Sequence, residues 1–171
     1  MSSSPFIVEW IERVAGDRAT TRRALDVAMG RGRHAVLLAR AGFLTFGVDV
    51  AFEAVHDAVT AANAGGARVN GWCADLTQHP LPCSRFDLVV VSRYLQRDLF
   101  SALRAACVPG GVVLYETFTT AQRALGTGPK SPEHLLEPGE LLRRFDDFEV
   151  LFYEEVSAPE AVARIAARSR T

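Results

Sequence analysis

A glycine-rich turn followed by an acid is the part of the sequence whose residue types could bind a ligand. Residues 30–35, GRGRHA, fit the pattern G-x-G-x-x-A, which allows a backbone turn to approach a bound group closely. Asp49 follows Gly30 by nineteen positions, a spacing at which nucleotide-binding folds place an acid for ribose hydroxyl groups. Several unrelated cofactor families share such a loop, so the pattern alone leaves the cofactor open.

Strand-like and helix-like segments alternate along the chain. Apolar side chains at helical spacing predict an amphipathic helix over residues 6–15. Residues 109–111, PGG, predict a turn into the fifth strand, and residues 118–137 a long loop. This alternation is typical of a parallel sheet with helices on both faces. The predicted strands cover residues 24–28, 44–48, 68–73, 86–91, 112–117, 148–155 and 162–167, and the further helices 34–41, 52–62, 99–107 and 138–145.

Polar residues follow the ends of the first five predicted strands. Ligands of such sheets bind at the carboxyl ends of the strands, so we expect these residues along one rim. The residues are Gly30, Asp49, Asp75, Ser92 and Thr117.

Two acids and the chain length favour a nucleoside cofactor other than a nicotinamide dinucleotide. Asp26 lies inside the first predicted strand, which in dinucleotide-binding folds is usually apolar throughout, and Asp75 can accept a hydrogen bond from an exocyclic amine. The 171 residues suit one domain and leave no room for a separate substrate domain. A nicotinamide-dependent reductase remains the alternative.

Five segments occur in the order known from one enzyme family: LDVAMGRGRHA, GVDVAFEAV, WCADLTQHPLP, FDLVVVSRYLQRDLF and VPGGVVLYETF. With HLLEPGELLRRF, they resemble class I S-adenosylmethionine-dependent methyltransferases, near the small bacterial type-11/12 and tellurite-resistance-like members. The resemblance implies one Rossmann-like α/β domain over residues 1–171, with a seven-stranded, mostly parallel sheet in the order 3-2-1-4-5-7-6. Residues 1–19 would form an N-terminal helix or cap, and residues 118–137 a loop over the active-site rim.

The resemblance also implies the cofactor, S-adenosyl-L-methionine, and its product, S-adenosyl-L-homocysteine. Gly30 and Gly32 would lie against the methionine part, Asp49 would accept from the ribose hydroxyls, and Asp75 from the adenine amine. The residues implied to bind the cofactor are Asp26, Ala28, Gly30, Gly32, Asp49, Val50, Asp75, Leu76, Val91 and Ser92.

The family's first motif, D-x-G-x-G-x-G, has alanine at position 28 in place of its first glycine. Since alanine does not easily adopt a positive φ, we expect weaker cofactor binding. A non-catalytic cofactor-binding or interaction module is therefore a further alternative.

Methyl transfer requires two reactants held in line rather than an acid or a base, and the sequence singles out no catalytic residue and no metal site. We expect a small-molecule acceptor, and three arginines, at positions 33, 93 and 97, predict a preference for a small anion. The predicted substrate wall consists of Trp10, Arg33, Arg93, Tyr94, Arg97, Tyr115 and His134.

The composition indicates which classes of partner and which cellular compartment to expect. A net charge of -1 with scattered basic residues argues against nucleic-acid binding. Three cysteines without C-x-x-C spacing indicate a reducing compartment. Residues 1–5 contain no basic region and the chain has no uncharged apolar run of about eighteen residues, so we expect neither a signal peptide nor a membrane span. We expect a cytoplasmic protein without an obligate protein partner.

Overall fold

The predicted strands form one seven-stranded sheet. The computed structural model describes residues 3–16 and 21–170. Within them the sheet order is β3-β2-β1-β4-β5-β7-β6, which confirms the expected order. β1 to β5 pair in parallel, and β7 pairs antiparallel with both β5 and β6. The strands are β1 (Arg23–Val27), β2 (Leu44–Asp49), β3 (Val69–Cys73), β4 (Phe86–Ser92), β5 (Cys107–Phe118), β6 (Glu149–Val156) and β7 (Val162–Arg168).

Helices cover both faces of the sheet, as predicted. They are α1 (Pro5–Ala15), α2 (Arg33–Arg40), α3 (Phe52–Ala64), α4 (Phe100–Ala106) and α5 (Glu140–Arg144). Three short 3₁₀ helices cover Arg97–Leu99, Thr120–Leu125 and Pro132–His134. No helix in residues 3–16 or 21–170 is long and apolar enough to cross a membrane.

The central strand β4 shows why the sheet is buried on both sides. Its segment from Leu88 to Val91 is completely buried. Leu88 and Val90 pack into the apolar cluster that contains residues of α1 and α2, whereas Val89 and Val91 pack into the cluster of α4 and α5. Branched apolar side chains suit such a doubly covered strand.

Helix α1 is fixed at its start and along one face. Ser4 caps it, since its hydroxyl accepts from the backbone N–H of Ile7 at 3.5 Å. Phe6 stacks on Phe152 of β6 with ring centroids 5.6 Å apart. The backbone N–H of Ser4 donates to Nε2 of His34 at 3.4 Å, so the start of α1 lies beside the glycine turn.

The predicted turn at residues 109–111 is wrong, because β5 begins at Cys107 and continues through these residues. The backbone N–H of Gly110 donates to the carbonyl of Ser169 at 3.1 Å, and Gly110 adopts φ +77°. A glycine tolerates this conformation within a strand. The segment predicted as a loop, residues 118–137, contains two of the 3₁₀ helices, and its ends are joined by a bridge between Thr119 and Leu136.

Candidate functional site

Two cavities lie at the carboxyl ends of the parallel strands. The larger cavity, about 770 Å³, is lined by the glycine turn, the end of β4, the segment after β5 and the β6–β7 connection. Ala28 and Arg93 line both cavities, so the two cavities share a wall. Both volumes fall in the range of about 300–1,000 Å³ that is usual for small-molecule sites. The smaller cavity, about 410 Å³, is lined by Ala28, Asp49, Val50, Ala74, Asp75, Leu76, Arg93 and Tyr94.

Ala28 adopts a left-handed backbone conformation, although alanine does not easily adopt a positive φ. Its φ is +53°, in the left-handed region. The expectation that alanine would keep this position out of a positive φ is therefore wrong. A left-handed conformation costs about 1–2 kcal/mol for a residue other than glycine, and the rest of the folded chain bears this cost.

The two glycines of the turn serve different purposes. A Cβ atom on Gly30 would meet no atom within 4 Å, and Gly30 lines the larger cavity, so its backbone is open to a ligand. A Cβ atom on Gly32 would lie 2.9 Å from the Cβ of Ala58. Gly32 therefore allows the turn to pack closely against α3, and it lines neither cavity.

Two carboxylates project into the smaller cavity from the ends of β2 and β3. Asp49 accepts from the backbone N–H of Gly30 at 2.8 Å through Oδ2 and from that of Ala51 at 3.0 Å through Oδ1, so it braces the glycine turn. Asp75 accepts from the hydroxyl of Thr77 at 2.7 Å and from its backbone N–H at 2.9 Å. These hydrogen bonds lower the pKa of Asp75. A negatively charged carboxylate accepts hydrogen bonds without donating any, which suits hydroxyl and amine groups of a ligand.

Asp26 lines the larger cavity but is almost completely buried. Burial raises the pKa of Asp26 to about 7, although a hydrogen bond from the backbone N–H of Ala35 and the charge of Arg33 act in the opposite direction. The bond to Ala35, at 2.9 Å, ties the end of β1 to α2. Asp26 is therefore a carboxyl group that changes charge near neutral pH.

Arg33 and His34 reach the larger cavity from the first turn of α2. Within the described part of the chain, the buried Nε of Arg33 has no hydrogen-bond partner. One terminal nitrogen of Arg33 lies 3.5 Å from the hydroxyl of Ser92. Burial, with the charges of Arg33 and Arg93, lowers the pKa of His34 to about 4, so this imidazole is neutral at physiological pH.

The other two predicted anion-binding arginines are paired with acids. Arg93 donates to Glu160 through both terminal nitrogens, one of them at 2.9 Å, and its guanidinium lies over the ring of Phe118, 5.0 Å from the centroid. Arg97 donates to Glu140 at 2.8 and 2.9 Å. Only Arg33 of these three arginines has no carboxylate partner within ion-pair distance in the described chain.

Most residues predicted to bind the cofactor line a cavity. Val91 does not, because it is completely buried in the core, and Gly32 packs on α3 as described. Those that the structure brings to the two cavities are Asp26, Ala28, Gly30, Asp49, Val50, Asp75, Leu76 and Ser92.

The predicted substrate wall is only partly assembled. Arg33, Arg93 and Tyr94 line a cavity, whereas Trp10, Arg97, Tyr115 and His134 line neither. Trp10 of α1 packs near the ring of Phe152, in the apolar cluster between α1 and the sheet. The hydroxyl of the buried Tyr115 donates to the carbonyl of Tyr94 at 2.8 Å, and His134 is exposed in the last 3₁₀ helix.

Several lining residues were not among the predicted site residues, and Gln122 and Glu160 are two of them. Gln122 is buried, donates to the carbonyl of Thr127 at 2.9 Å and accepts from the backbone N–H of Ala161 at 2.7 Å. It thus joins the segment after β5 to the β6–β7 connection, which carries Glu160. An antiparallel β7 brings this connection to the rim, because Val162 pairs with Phe118. The strand order expected from the resemblance already brings the β6–β7 connection to this rim, so it could have indicated that Glu160 lies at the site.

Comparison with known proteins points to one family. The family model described as "Methyltransferase domain" matches residues 24–111, just over half of the chain. The comparison with curated proteins found no match.

Solved methyltransferase structures share the fold. TehB from Haemophilus influenzae has a TM-score of 0.76 at 15% identity, covering 98% of this chain and 62% of TehB. An S-adenosylmethionine-dependent methyltransferase from Mesorhizobium loti has 0.73 at 20% identity, covering 94% and 97%. Magnesium protoporphyrin IX methyltransferase from Synechocystis PCC 6803, with bound S-adenosylhomocysteine, has 0.74 at 17% identity, covering 95% and 80%. At these identities the likeness establishes a common fold.

Proposed function

The chain belongs to the methyltransferase-domain family, and from this premise we propose that it methylates a small molecule bound in the larger cavity. It is an enzyme, and its cofactor is S-adenosyl-L-methionine. The family membership decides against the nicotinamide-dependent reductase. The observation that carries the proposal is the shared wall, since Ala28 and Arg93 adjoin a cavity with two carboxylates and a larger one beside it.

The residues present fit the cofactor. The smaller cavity offers hydrogen-bond acceptors from Asp49 and Asp75, and apolar contacts from Val50 and Leu76. Ribose hydroxyls and an adenine amine are donors that such carboxylates accept. In the larger cavity the open backbone at Gly30 leaves room for the amino-acid part of the cofactor.

Each of these residues has a distinct role in the proposal. Asp49 binds the ribose hydroxyls and Asp75 the adenine amine, while Val50 and Leu76 pack beside the adenine ring. Ala28, Gly30 and Ser92 lie beside the methionine part, where the two cavities meet.

When bound, S-adenosylmethionine would supply a methyl group on a positively charged sulfur: the acceptor atom bonds to the methyl carbon in line, and the sulfur leaves as a neutral thioether. The chain's own contribution is to hold the acceptor at that position, and positioning alone can contribute about 7–11 kcal/mol. Gln122 supports the wall after β5, because it hydrogen-bonds to Thr127 within that segment and to Ala161 in the β6–β7 connection. The wall covers the acceptor and limits the access of water.

A thermal-shift measurement with S-adenosylhomocysteine tests the proposal. At a hundredfold excess over the dissociation constant, the ligand should stabilise the wild type by about 2.7 kcal/mol. Asp49→Asn should lose most of this shift, because an amide nitrogen replaces one acceptor of the ribose hydroxyls. Asp57→Asn, at an exposed position of α3, is the matched control and should keep the shift.

Activity completes the test. Production of S-adenosylhomocysteine from S-adenosylmethionine should depend on an added acceptor and should fall in Asp49→Asn. A wild-type protein without any thermal shift, or an Asp49→Asn variant with the full shift, would refute the proposed site.

A further inference from the structure

We propose that Arg33 recognises a carboxylate group of the methyl acceptor in the larger cavity, so that the substrate class is a small carboxylate-bearing molecule. This inference rests on the proposed function. The carboxylate serves as the group by which the acceptor is held and oriented, whichever of its atoms receives the methyl group.

Arg33 has hydrogen-bonding capacity that the described chain does not use. Its Nε is buried without a partner, and its contact with the hydroxyl of Ser92, at 3.5 Å, is long for a hydrogen bond. A buried donor without a partner destabilises the folded chain. Arg33 lines the larger cavity without an ion-paired carboxylate in the described chain, and a ligand carboxylate can accept from its terminal nitrogens because the planar guanidinium matches the two carboxylate oxygens.

Among the described residues that line the larger cavity, no other basic side chain is both charged and available for this role. Arg93 is held by Glu160 through two hydrogen bonds. Arg31 is exposed to solvent, where its charge is screened. His34 is neutral at physiological pH because burial lowers its pKa.

The charges of the cavity also favour an anionic acceptor. Its acids are Asp26 and Glu160: Glu160 is paired with Arg93, and Asp26, whose pKa burial raises to about 7, is only partly charged at neutral pH. The amino-acid part of the cofactor is a zwitterion and leaves this balance unchanged, whereas its sulfonium adds one positive charge. Asp49 and Asp75 of the adjoining cavity add negative charge beside the cofactor, so the charge that an acceptor carboxylate compensates is that of Arg33, which has no carboxylate within ion-pair distance in the described chain.

The reach of Arg33 supports the acceptor as its ligand. Its guanidinium extends from the start of α2 to the hydroxyl of Ser92, at the end of β4, so it crosses to the strand end beside which the methionine part of the cofactor is proposed to lie. Ser92 and Arg33 thus bound the same part of the larger cavity.

Matched pairs of small ligands test this inference. Protein saturated with S-adenosylhomocysteine is titrated by calorimetry with carboxylates of increasing size, from acetate to benzoate, and with the corresponding carboxamides. At least one carboxylate should bind the wild type about tenfold or more tightly than its amide, a difference of about 1.4 kcal/mol. Arg33→Gln should lose this preference, and Arg33→Lys should keep part of it, because lysine retains the charge but not the planar fork.

Arg40→Gln is the control for loss of one charge from the same helix, because Arg40 is exposed at the end of α2 and lines neither cavity. It should keep the carboxylate preference. The melting temperature of each variant shows whether it is folded.

A second pair of ligands distinguishes the acceptor from the cofactor. S-adenosylhomocysteine carries a carboxylate, and 5′-methylthioadenosine lacks the amino-acid part. The inference requires that Arg33→Gln bind both compounds about as well as the wild type. A loss of tenfold or more for S-adenosylhomocysteine alone would assign Arg33 to the cofactor's own carboxylate and overturn the inference.

Equal affinity of the wild type for every carboxylate and its amide would overturn the inference as well. Failure of the wild type to bind S-adenosylhomocysteine would refute the proposed function instead. In that case the carboxylate and amide titrations on the free protein would still decide whether Arg33 binds an anion.

Discussion

Replacing Ala28 with glycine should stabilise the fold and leave cofactor affinity nearly unchanged. Ala28 has φ +53° in the folded chain, and we expect the cost of this left-handed conformation to fall on folding rather than on binding. From the sequence alone we expected Ala28 to weaken cofactor binding, because alanine does not easily adopt a positive φ.

The expected magnitude follows from two opposing effects. Glycine removes about 1–2 kcal/mol of left-handed strain, whereas its greater freedom in the unfolded chain returns about 0.4–1 kcal/mol. The difference is a net stabilisation of about 0–1.6 kcal/mol with its midpoint at about 0.8 kcal/mol, and that midpoint raises the melting temperature of a chain of this size by about 2 °C. Calorimetry should find the dissociation constant of S-adenosylhomocysteine within about threefold of the wild-type value.

Ser84→Gly is the matched control. Ser84 also has a positive φ, +50°, but it is exposed and lines neither cavity. Its replacement should raise the melting temperature by a similar amount without any change in affinity. If Ala28→Gly bound S-adenosylhomocysteine at least tenfold more tightly and gained no stability, the left-handed turn would form only on binding, and the reasoning would be refuted.

Two further substitutions test buried groups of the larger cavity. Burial raises the pKa of Asp26 from 3.8 to about 7, so the folded chain holds this proton more strongly than the unfolded chain, and stability should fall as the pH rises between these values. Asp26→Asn should remove this part of the slope between urea unfolding at about pH 5 and about pH 8; an unchanged slope would contradict the assignment. Gln122→Leu leaves the N–H of Ala161 without its partner and should cost about 1–3 kcal/mol in urea unfolding. The exposed Gln78→Leu should have little effect, and equal midpoints for these two leucine variants would exclude the bridging role.

The strands and their order could be predicted because they depend on local patterns and on the family resemblance. The run from Leu88 to Val91 is apolar at every position, and the structure covers it on both faces. The turn predicted at residues 109–111 failed because the local composition does not record the distant partner. Gly110 hydrogen-bonds to Ser169, and this pairing keeps the segment in β5.

The same contrast between local patterns and distant partners applies to the candidate site. Ligands of parallel sheets bind at the carboxyl ends of the strands. Asp49 and Asp75 follow such strand ends, and both line the smaller cavity. Val91 was predicted to lie beside the cofactor, and the structure buries its side chain completely in the core. The pairing of Arg93 with Glu160 joins residues that are 67 positions apart, so no local pattern could have shown that Arg93 is neutralised.

The two sides of the site also differ in how far the family constrains them. The residues proposed to bind the cofactor, from Asp26 to Ser92, lie inside the region that the family model matches, residues 24–111. The wall opposite them, which includes Phe118, Gln122 and Glu160, lies beyond it. Arg33 is inside the matched region yet lines the same cavity as this wall. The proposal that Arg33 holds the acceptor against these later segments therefore predicts that exchanging residues 118–129 for those of a relative changes the preferred acceptor while S-adenosylhomocysteine binding persists.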